Sequence, residues 1–249
     1  MSVHCSMEQM SVTPDEAVKL FINYSEQVDS PTTGGLNETL IIIEGNLVLP
    51  FEVTKLPHNL LIQGDLDASL SPVKNFNGVV TGNANFFESQ IESFGPDARF
   101  DGQFDASSTS HLRTFNCEVK GDALFCESSV EFFGPRAHFG GNLNAVGARK
   151  LKTFNHPVAG TADFSYSGLD AIGPNATFGT AVVVAKETPY QRRLDDPRRW
   201  NMNAANKMDK IVKGVGAKGG LFKKKRNALS TTSPFRTKSQ LLMLAKRAA

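Results

Sequence analysis

The chain contains a repeat of 39 residues that consists of two related halves. The dipeptide Phe-Asn recurs at this interval, at Phe76-Asn77, Phe115-Asn116 and Phe154-Asn155. A second series lies about halfway between these pairs, at Phe94-Gly95-Pro96, Phe133-Gly134-Pro135 and Ile172-Gly173-Pro174. The structural unit is therefore about 19 or 20 residues long, which is within the range of known repeat units. A unit this short cannot bury an apolar face alone and must stack on its neighbours, so the chain is predicted to form a solenoid.

Eight units can be aligned on one position, which we call the anchor. The anchors are Gly45, Gly64, Gly82, Gly102, Gly121, Gly141, Gly160 and Thr180. Apolar residues lie two positions before and two and four positions after each anchor, and mostly polar residues lie between them. This period of two is typical of a β-strand with one buried face, and the Gly, Pro, Asn and Ser content leaves no room for a helix in each unit. The predicted fold is an all-β parallel β-helix, or β-solenoid, of eight coils over residues 38–185.

Large and small apolar residues alternate from coil to coil, which indicates how the coils pack. Two positions before the anchor, valine and phenylalanine alternate from Val80 to Phe178. Four positions after it, phenylalanine and alanine alternate, as in Ala106, Phe125 and Ala145. Coils stack only about 4.8 Å apart, so this alternation avoids crowding and favours one register. The Gly-Pro and Asn positions after the second apolar run are predicted to form corners with a preset or positive φ.

One coil carries a motif that resembles a known repeat. Residues 56–69 read LPHNLLIQGDLDAS. This stretch is similar to the LPxxLxIxGDLDxS unit of bacterial and phage-borne β-solenoid repeat proteins, and the looser pattern extends over about residues 40–185. A weaker similarity is to bactofilins, which are short filament-forming β-helices with charged tails. The resemblance implies a fold and implies no catalytic residue.

Residues 1–37 are predicted to form a capping helix and a lead-in to the solenoid. Residues 13–16, Thr-Pro-Asp-Glu, match a capping box with proline at the first helical position. Val18, Phe21 and Ile22 would form the apolar side of this helix. Such a helix would cover the open end of the solenoid, where strand edges are otherwise unpaired.

The charge is divided between two parts of the chain. Residues 1–185 hold 10 basic and 21 acidic side chains, a net charge of −11, whereas residues 186–249 hold 17 and 4, a net charge of +13. An acidic body and a basic arm are therefore predicted, which could bind different partners or each other. The positions one and three after the anchor are expected to point outwards and form columns of Asp65, Asp67, Asn83, Asn85, Asp105, Asp122, Asn142, Asn144 and Asp163.

These columns allow several interpretations. They could be a solvated face, a protein-binding face, a cation site, or a mimic of nucleic acid that occupies the cleft of a DNA-binding protein. The candidate acidic binding residues are Asp65, Asp67, Asp105, Asp122 and Asp163. The chain lacks the dense spacing of oxygen ligands found in an EF-hand loop, so the sequence predicts no metal site.

Residues 186–249, the basic arm, are predicted to contain two short helices joined by a flexible basic linker. The first helix follows Asp195-Asp196-Pro197, and its apolar side would hold Trp200, Ala204, Met208, Ile211, Val212 and Val215. The second follows Ser233-Pro234 and holds Phe235, Leu241, Leu242 and Leu244. The candidate partner-binding residues are Arg198, Arg199, Trp200, Lys207, Lys210, Lys213, Lys223, Lys224, Lys225 and Arg226.

Several targets fit a basic amphipathic arm. It could dock in a groove of a protein partner, lie on an anionic membrane, or fold back on its own solenoid or on a sister subunit of a homo-oligomer. The run of four basic residues could bind nucleic acid phosphates without sequence specificity, or act as a nuclear import signal in a eukaryotic cell. No known sequence-specific nucleic-acid-binding motif occurs in the chain.

The sequence predicts no catalytic residue, no metal site and no cofactor. The five histidines are His4, His58, His111, His138 and His156, and none belongs to a catalytic motif. The three cysteines, Cys5, Cys117 and Cys126, have no metal-ligand spacing, and their odd number favours reduced thiols. No apolar run approaches the ~20 residues of a membrane span, and the N-terminus lacks the order of a signal peptide. The protein is therefore expected in the cytoplasm or on a virion.

Taken together, these features predict a non-enzymatic structural or interaction protein. A rigid acidic β-solenoid would be tethered by the basic arm to a larger assembly, with a virion or another nucleoprotein particle as the best fit. The alternative is a bacterial effector or inhibitor whose acidic solenoid binds a host or competitor protein, in which case the protein would act in the host cell.

Overall fold

A computed structural model of the chain describes residues 8–26, 36 and 38–184. These residues form a parallel β-solenoid of eight coils, as predicted, with one helix before it. The two predicted helices of the basic arm lie outside the described residues. Among the described residues, no helix is long and apolar enough to cross a membrane.

Two parallel sheets run the length of the solenoid, one on each side of the anchors. The nine-stranded sheet before the anchors consists of β1 (Gln9–Val12), β2 (Leu40–Glu44), β4 (Leu60–Gln63), β7 (Gly78–Val80), β10 (Arg99–Phe100), β13 (Glu118–Val119), β16 (His138–Phe139), β19 (Pro157–Val158) and β22 (Thr177–Phe178). The eight-stranded sheet after them consists of β3 (Leu47–Val48), β5 (Leu66–Asp67), β8 (Ala84–Asn85), β11 (Phe104–Asp105), β14 (Ala123–Leu124), β17 (Leu143–Asn144), β20 (Ala162–Asp163) and β23 (Val182–Val183).

Three short strand pairs close the coils at a third side. These pairs are β6 (Asn75–Phe76) with β9 (Ser93–Phe94), β12 (Thr114–Phe115) with β15 (Phe132–Phe133), and β18 (Thr153–Phe154) with β21 (Ala171–Ile172). Each pair joins one Phe-Asn corner to the following Gly-Pro corner. The 39-residue repeat of the sequence therefore corresponds to two coils paired at this side.

The register of the eight coils is the one predicted from the anchors. Residues two positions before the anchor pair with one another from Ile43 to Phe178, and residues two positions after it pair from Leu47 to Val182. A slip of one residue would turn every buried side chain outwards, so the apolar pattern specifies this pairing.

A continuous column of phenylalanine rings fills the interior. Phe104, Phe115 and Phe125 are fully buried, with ring centroids 4.9 Å apart for the first two and 5.0 Å apart for the last two. Such tilted and edge-to-face contacts add to the free energy gained from burial alone. The predicted alternation of volume is confirmed, because Ala106 and Ala145 are also fully buried in the coils on either side of Phe125.

The two kinds of corner fit each other, which explains the doubled repeat. The Asn116 Oδ1 atom accepts a hydrogen bond of 2.8 Å from the backbone N–H of Arg136 in the next coil. A Cβ at Gly134 would lie under 3.0 Å from the Asn116 side chain, so this corner requires glycine. The same arrangement joins Asn77 to Asp97 over Gly95 and Asn155 to Asn175 over Gly173.

The left-handed backbone corner does not lie where the sequence predicted it. Positive φ was expected at the Asn or Gly-Pro corners, but it occurs six positions after the anchor. The residues are Leu70, Glu88, Ser108, Glu127, Gly147 and Tyr166, with φ between 52° and 72°. The expectation was wrong because only one of these six residues is a glycine, and none is asparagine. The fold therefore holds five ordinary residues in a conformation that costs roughly 1–2 kcal/mol each.

The N-terminal helix α1 (Pro14–Glu26) begins at the predicted capping box. The Thr13 backbone N–H and hydroxyl both donate to Glu16 Oε2, at 2.9 and 2.8 Å, and these hydrogen bonds lower the pKa of Glu16. The buried residues are Ala17, Phe21 and Tyr24. The predicted apolar side was therefore only partly right.

Two further contacts hold this end together. Strand β1, which was not predicted, pairs in parallel with β2 and extends the nine-stranded sheet by one layer. At the other end of α1, the backbone N–H groups of Thr54 and Lys55 donate to Ser25 Oγ at 3.0 and 3.1 Å. The helix is thus fixed against the first coil, as expected of a cap.

Candidate interaction surfaces

The polar residues directly after the anchors form a hydrogen-bonded column, which we call the anchor column. Its members are Asn46, Asp65, Asn83, Gln103, Asp122, Asn142 and Thr161. The Asp65 Oδ1 atom accepts a hydrogen bond of 2.7 Å from the backbone N–H of Asn83, and Asp122 Oδ1 accepts one of 2.7 Å from that of Asn142. Equivalent bonds start at Asn46, Asn83 and Asn142. The column therefore connects one coil to the next.

The residues three positions after the anchors form a second column, which we call the turn column. Its polar members are Asp67, Asn85, Asp105, Asn144 and Asp163. Each accepts a hydrogen bond from the backbone N–H two residues later in its own coil, at distances between 2.8 and 3.1 Å. This is the geometry of an Asx turn, which bends the chain where the short strand ends.

The expectation that both columns point outwards is wrong at two positions. Asn85 is 0% exposed and Asp105 is 2% exposed. The reason is that the strands after the anchors are only two residues long, so the alternation of inward and outward side chains stops at the turn. Asp105 therefore lies inside the solenoid, whereas Asp67 and Asp163 are half-buried.

The five candidate acidic residues are thus distributed over two columns with structural roles. Asp65 and Asp122 belong to the anchor column, and Asp67, Asp105 and Asp163 belong to the turn column. In each of the five, one carboxylate oxygen accepts a hydrogen bond from the backbone of the solenoid. A hydrogen bond from a backbone N–H to a carboxylate is charge-assisted and strong. These atoms are therefore less available to a partner than the sequence suggested.

A third column, which the sequence analysis missed, lies at the side closed by the short strand pairs. We call it the charge column, and it consists of Lys74, Glu92, Arg113, Glu131, Lys152 and Asp170. Lys74 Nζ lies 3.0 Å from Glu92 Oε1, and Arg113 Nη1 lies 2.5 Å from Glu131 Oε1. The signal was present in the sequence, because each member lies two residues before the phenylalanine or isoleucine of a corner.

The alternation of sign in the charge column has two consequences. Exposed ion pairs contribute little to stability, with a typical value of about 0–1 kcal/mol. Pairing two coils of the same kind would instead place like charges opposite each other, so the alternation favours the observed register. It also neutralises this side of the solenoid, which carries as many basic as acidic members.

The two cysteines of the described residues are free thiols that are shielded from solvent. Burial raises the pKa of the Cys117 thiol to about 12 and that of the Cys126 thiol to about 11. Cys117 is 3% exposed and lies in the column of small residues between Ala98 and Ala137. Since the thiolate is the nucleophilic form, both thiols are expected to be unreactive at neutral pH.

These pKa values predict how stability depends on pH. Because the folded-state values are raised above the ~8.5 of an unburied thiol, the folded state retains protons that the unfolded state releases. The stabilising effect is therefore complete below about pH 8.5 and is lost as the pH rises towards 12. Urea unfolding between pH 8 and pH 11 should show this loss. The double variant Cys117→Ala and Cys126→Ala should lose less over the same range, and an equal loss would contradict the shifts.

The histidines do not converge on one site in the described residues. His58, His111 and His138 are exposed at different coil positions, and His156 is half-buried with Nε2 at 3.0 Å from the carbonyl oxygen of Phe133. No group of three or more His, Cys, Asp or Glu residues in this part of the chain could hold a metal ion.

A shallow cleft lies on the outer face of the nine-stranded sheet. It has a volume of about 330 Å3, and its lining residues are Val79, Pro96, Asp97, Ala98, Arg99, Glu118 and Arg136. Arg136 closes one side of it, because its Nη2 atom donates a hydrogen bond of 2.5 Å to the carbonyl oxygen of Pro96. The lining combines acidic, basic and apolar groups and offers no side chain of nucleophilic type.

The candidate partner-binding residues of the basic arm all lie outside the described residues. The contacts above therefore concern the solenoid alone. No protein-family model, curated protein or solved structure matches the chain.

Proposed function

We propose that the chain is a non-enzymatic interaction protein whose β-solenoid is tethered by the basic arm to a larger acidic assembly. The particle that fits best is a virion or another nucleoprotein particle. The protein would then act in the cytoplasm or on the particle itself. The phage-like repeat of residues 56–69 and the charge of the arm favour this class of partner.

The observation that carries the proposal is the contrast between the charges of the two parts of the chain. In the solenoid, one oxygen of each candidate carboxylate binds the backbone, and the charge column neutralises itself. In the arm, 17 basic side chains face only 4 acidic ones. An excess of this kind binds polyanions by releasing their counterions and needs no specific contacts to bases.

The alternative is an effector or inhibitor whose solenoid binds a host or competitor protein through its acidic columns. Such a surface needs carboxylates that can leave their present partners or that have a free oxygen facing solvent. Asp105 does not meet this requirement, because it is 2% exposed. The engaged columns therefore favour the arm as the binding element.

The proposal predicts that neutral substitutions in the arm weaken binding to a polyanion. A quadruple variant with glutamine at positions 223–226 should bind random-sequence duplex DNA at least about tenfold more weakly at low salt than the natural chain. Fluorescence anisotropy with a labelled duplex measures this affinity. The full-length chain is used throughout, because the arm has not been shown to be separable.

A matched control removes positive charge from the solenoid instead. The triple variant Lys74→Gln, Arg113→Gln and Lys152→Gln should change the affinity by less than about twofold, since these residues face acidic neighbours. Equal losses in both variants would contradict the arm as the binding element. Absence of binding by the natural chain would contradict the nucleoprotein proposal and favour the effector alternative.

A further inference from the structure

The last coil of the solenoid is less covered than the coils before it. Phe178 and Val182 are half-buried, whereas the residues that pair with them in the preceding coil, Val158 and Ala162, are 2% and 0% exposed. Val183 is 42% exposed. Strands β22 and β23 are the last strands of their sheets among the described residues. An apolar interior surface and two strand edges therefore end at this coil, and such ends need a cover.

The opposite end of the solenoid shows how this fold covers an end. Helix α1 places Ala17, Phe21 and Tyr24 against the first coil, and Ile43 and Leu47 in that coil are consequently 0% and 1% exposed. A single amphipathic helix of 13 residues is thus sufficient to bury the end of one coil.

A second segment with the pattern of such a helix follows the last coil closely. In residues 197–215, Trp200, Ala204, Met208, Ile211 and Val215 recur at spacings of three and four. This spacing places them on one side of a helix. The other side would be basic, with Arg198, Arg199, Lys207, Lys210 and Lys213.

We propose that residues 197–215 cap the C-terminal end of the solenoid of their own chain. Their apolar side would cover Phe178 and Val182, and their basic side would face outwards. Thirteen residues link position 184 to position 197, and an extended chain of this length spans up to about 40 Å. The segment needs to reach only the next layer, which lies about 4.8 Å beyond the last coil. Because the chain itself supplies the segment, docking needs no second molecule.

This inference divides the arm into two parts and goes beyond the tether. The segment of residues 197–215 would belong to the folded body, and the basic run of residues 223–226 would be left for the polyanion. The inference does not rest on the proposed function, because its test requires no partner.

The single tryptophan of the chain, Trp200, allows a direct test. In the full-length chain we expect Trp200 emission shifted to the blue and protected from iodide quenching. Met208→Glu should shift the emission to the red, remove the protection and lower the melting temperature. Asn206→Glu adds the same charge on the opposite side of the predicted helix and should change none of these quantities. Because neither residue belongs to the solenoid, its coils should remain folded in both variants.

The surface that the segment covers is tested by a second pair of variants. Val182→Asp at the C-terminal end should expose Trp200, whereas Val48→Asp at the N-terminal end should leave its emission unchanged. An exposed Trp200 in the natural chain, equal effects of Met208→Glu and Asn206→Glu, or no response to Val182→Asp would each overturn the proposal. Protection that is lost on dilution would also overturn it, because the segment would then be docked on a second copy.

Discussion

Phe125→Ala is expected to lower the free energy of unfolding by about 3 to 5 kcal/mol. Phe125 is fully buried four positions after the anchor, and its ring lies 5.0 Å from that of Phe115 and 5.2 Å from that of Phe133. The adjacent coils place Ala106 and Ala145 at the same position, so no neighbouring side chain there is large enough to fill the void. Thermal unfolding followed by circular dichroism should show a melting temperature lower by roughly 10 °C.

The control for this variant is Phe132→Ala. Phe132 is 50% exposed, whereas Phe133, the next residue, is buried. The same change of side chain should therefore cost less than about 1 kcal/mol, because little apolar area is lost from the interior. Similar melting temperatures for the two variants would show that the assigned register is wrong.

Gly121→Ala is expected to destabilise the solenoid by roughly 1 to 3 kcal/mol or more. A Cβ at this anchor would lie 2.6 Å from the carbonyl oxygen of Gly102, 2.7 Å from its carbonyl carbon and 2.8 Å from the backbone nitrogen of Gln103. All three atoms belong to the backbone of the previous coil. The clash can be relieved only by separating two coils that the hydrogen bond from Gly121 N to Gly102 O holds at 3.1 Å.

A second glycine provides the matched control for this effect. A Cβ at Gly147 would lie 3.1 Å from Cγ of Glu127, which is part of a side chain that can move. Gly147→Ala should therefore cost only about 1 kcal/mol, which reflects the positive φ of 72° at this position. Chemical denaturation of both variants measures the difference. A larger loss for Gly147→Ala would contradict steric contact between anchors as the reason for glycine.

The last anchor is consistent with this explanation. Thr180 has a Cβ, and its backbone N–H lies 3.3 Å from the carbonyl oxygen of Gly160. The equivalent distance between Gly160 and Gly141 is 3.0 Å. A side chain is thus found at the end of the stack, where the distance between neighbouring anchors is longer.

The register of the solenoid could be predicted because its determinants recur in every coil. The glycine anchors and the alternation of Phe125 with Ala106 and Ala145 are local patterns, and each coil repeats the same constraint. Strand β1 could not be predicted in this way, because its four residues belong to no repeat. The left-handed corner was also missed, since residues such as Leu70 and Tyr166 carry no preference for positive φ and are held there by the stacked coils.

The candidate surfaces were harder to predict than the fold. Position relative to the anchor indicated outward columns, but the short strands turn at Asn85 and Asp105, and both side chains lie inside. The charge column was missed because total charge was considered before position, and Arg113 and Glu131 become neighbours only when the coils are stacked. The basic arm has no such repeat, so its two helices and its partner-binding residues remain predictions.

The salt dependence of binding by the full-length chain tests the central claim most directly. If the arm binds the phosphates of a polyanion, the logarithm of the affinity for duplex DNA should fall linearly with the logarithm of salt concentration, with a slope of about −0.9 for each phosphate contacted. The quadruple variant at positions 223–226 should reduce this slope by up to about four such contacts. An affinity that does not change between low and physiological salt, or a slope that is equal in the two proteins, would contradict the account.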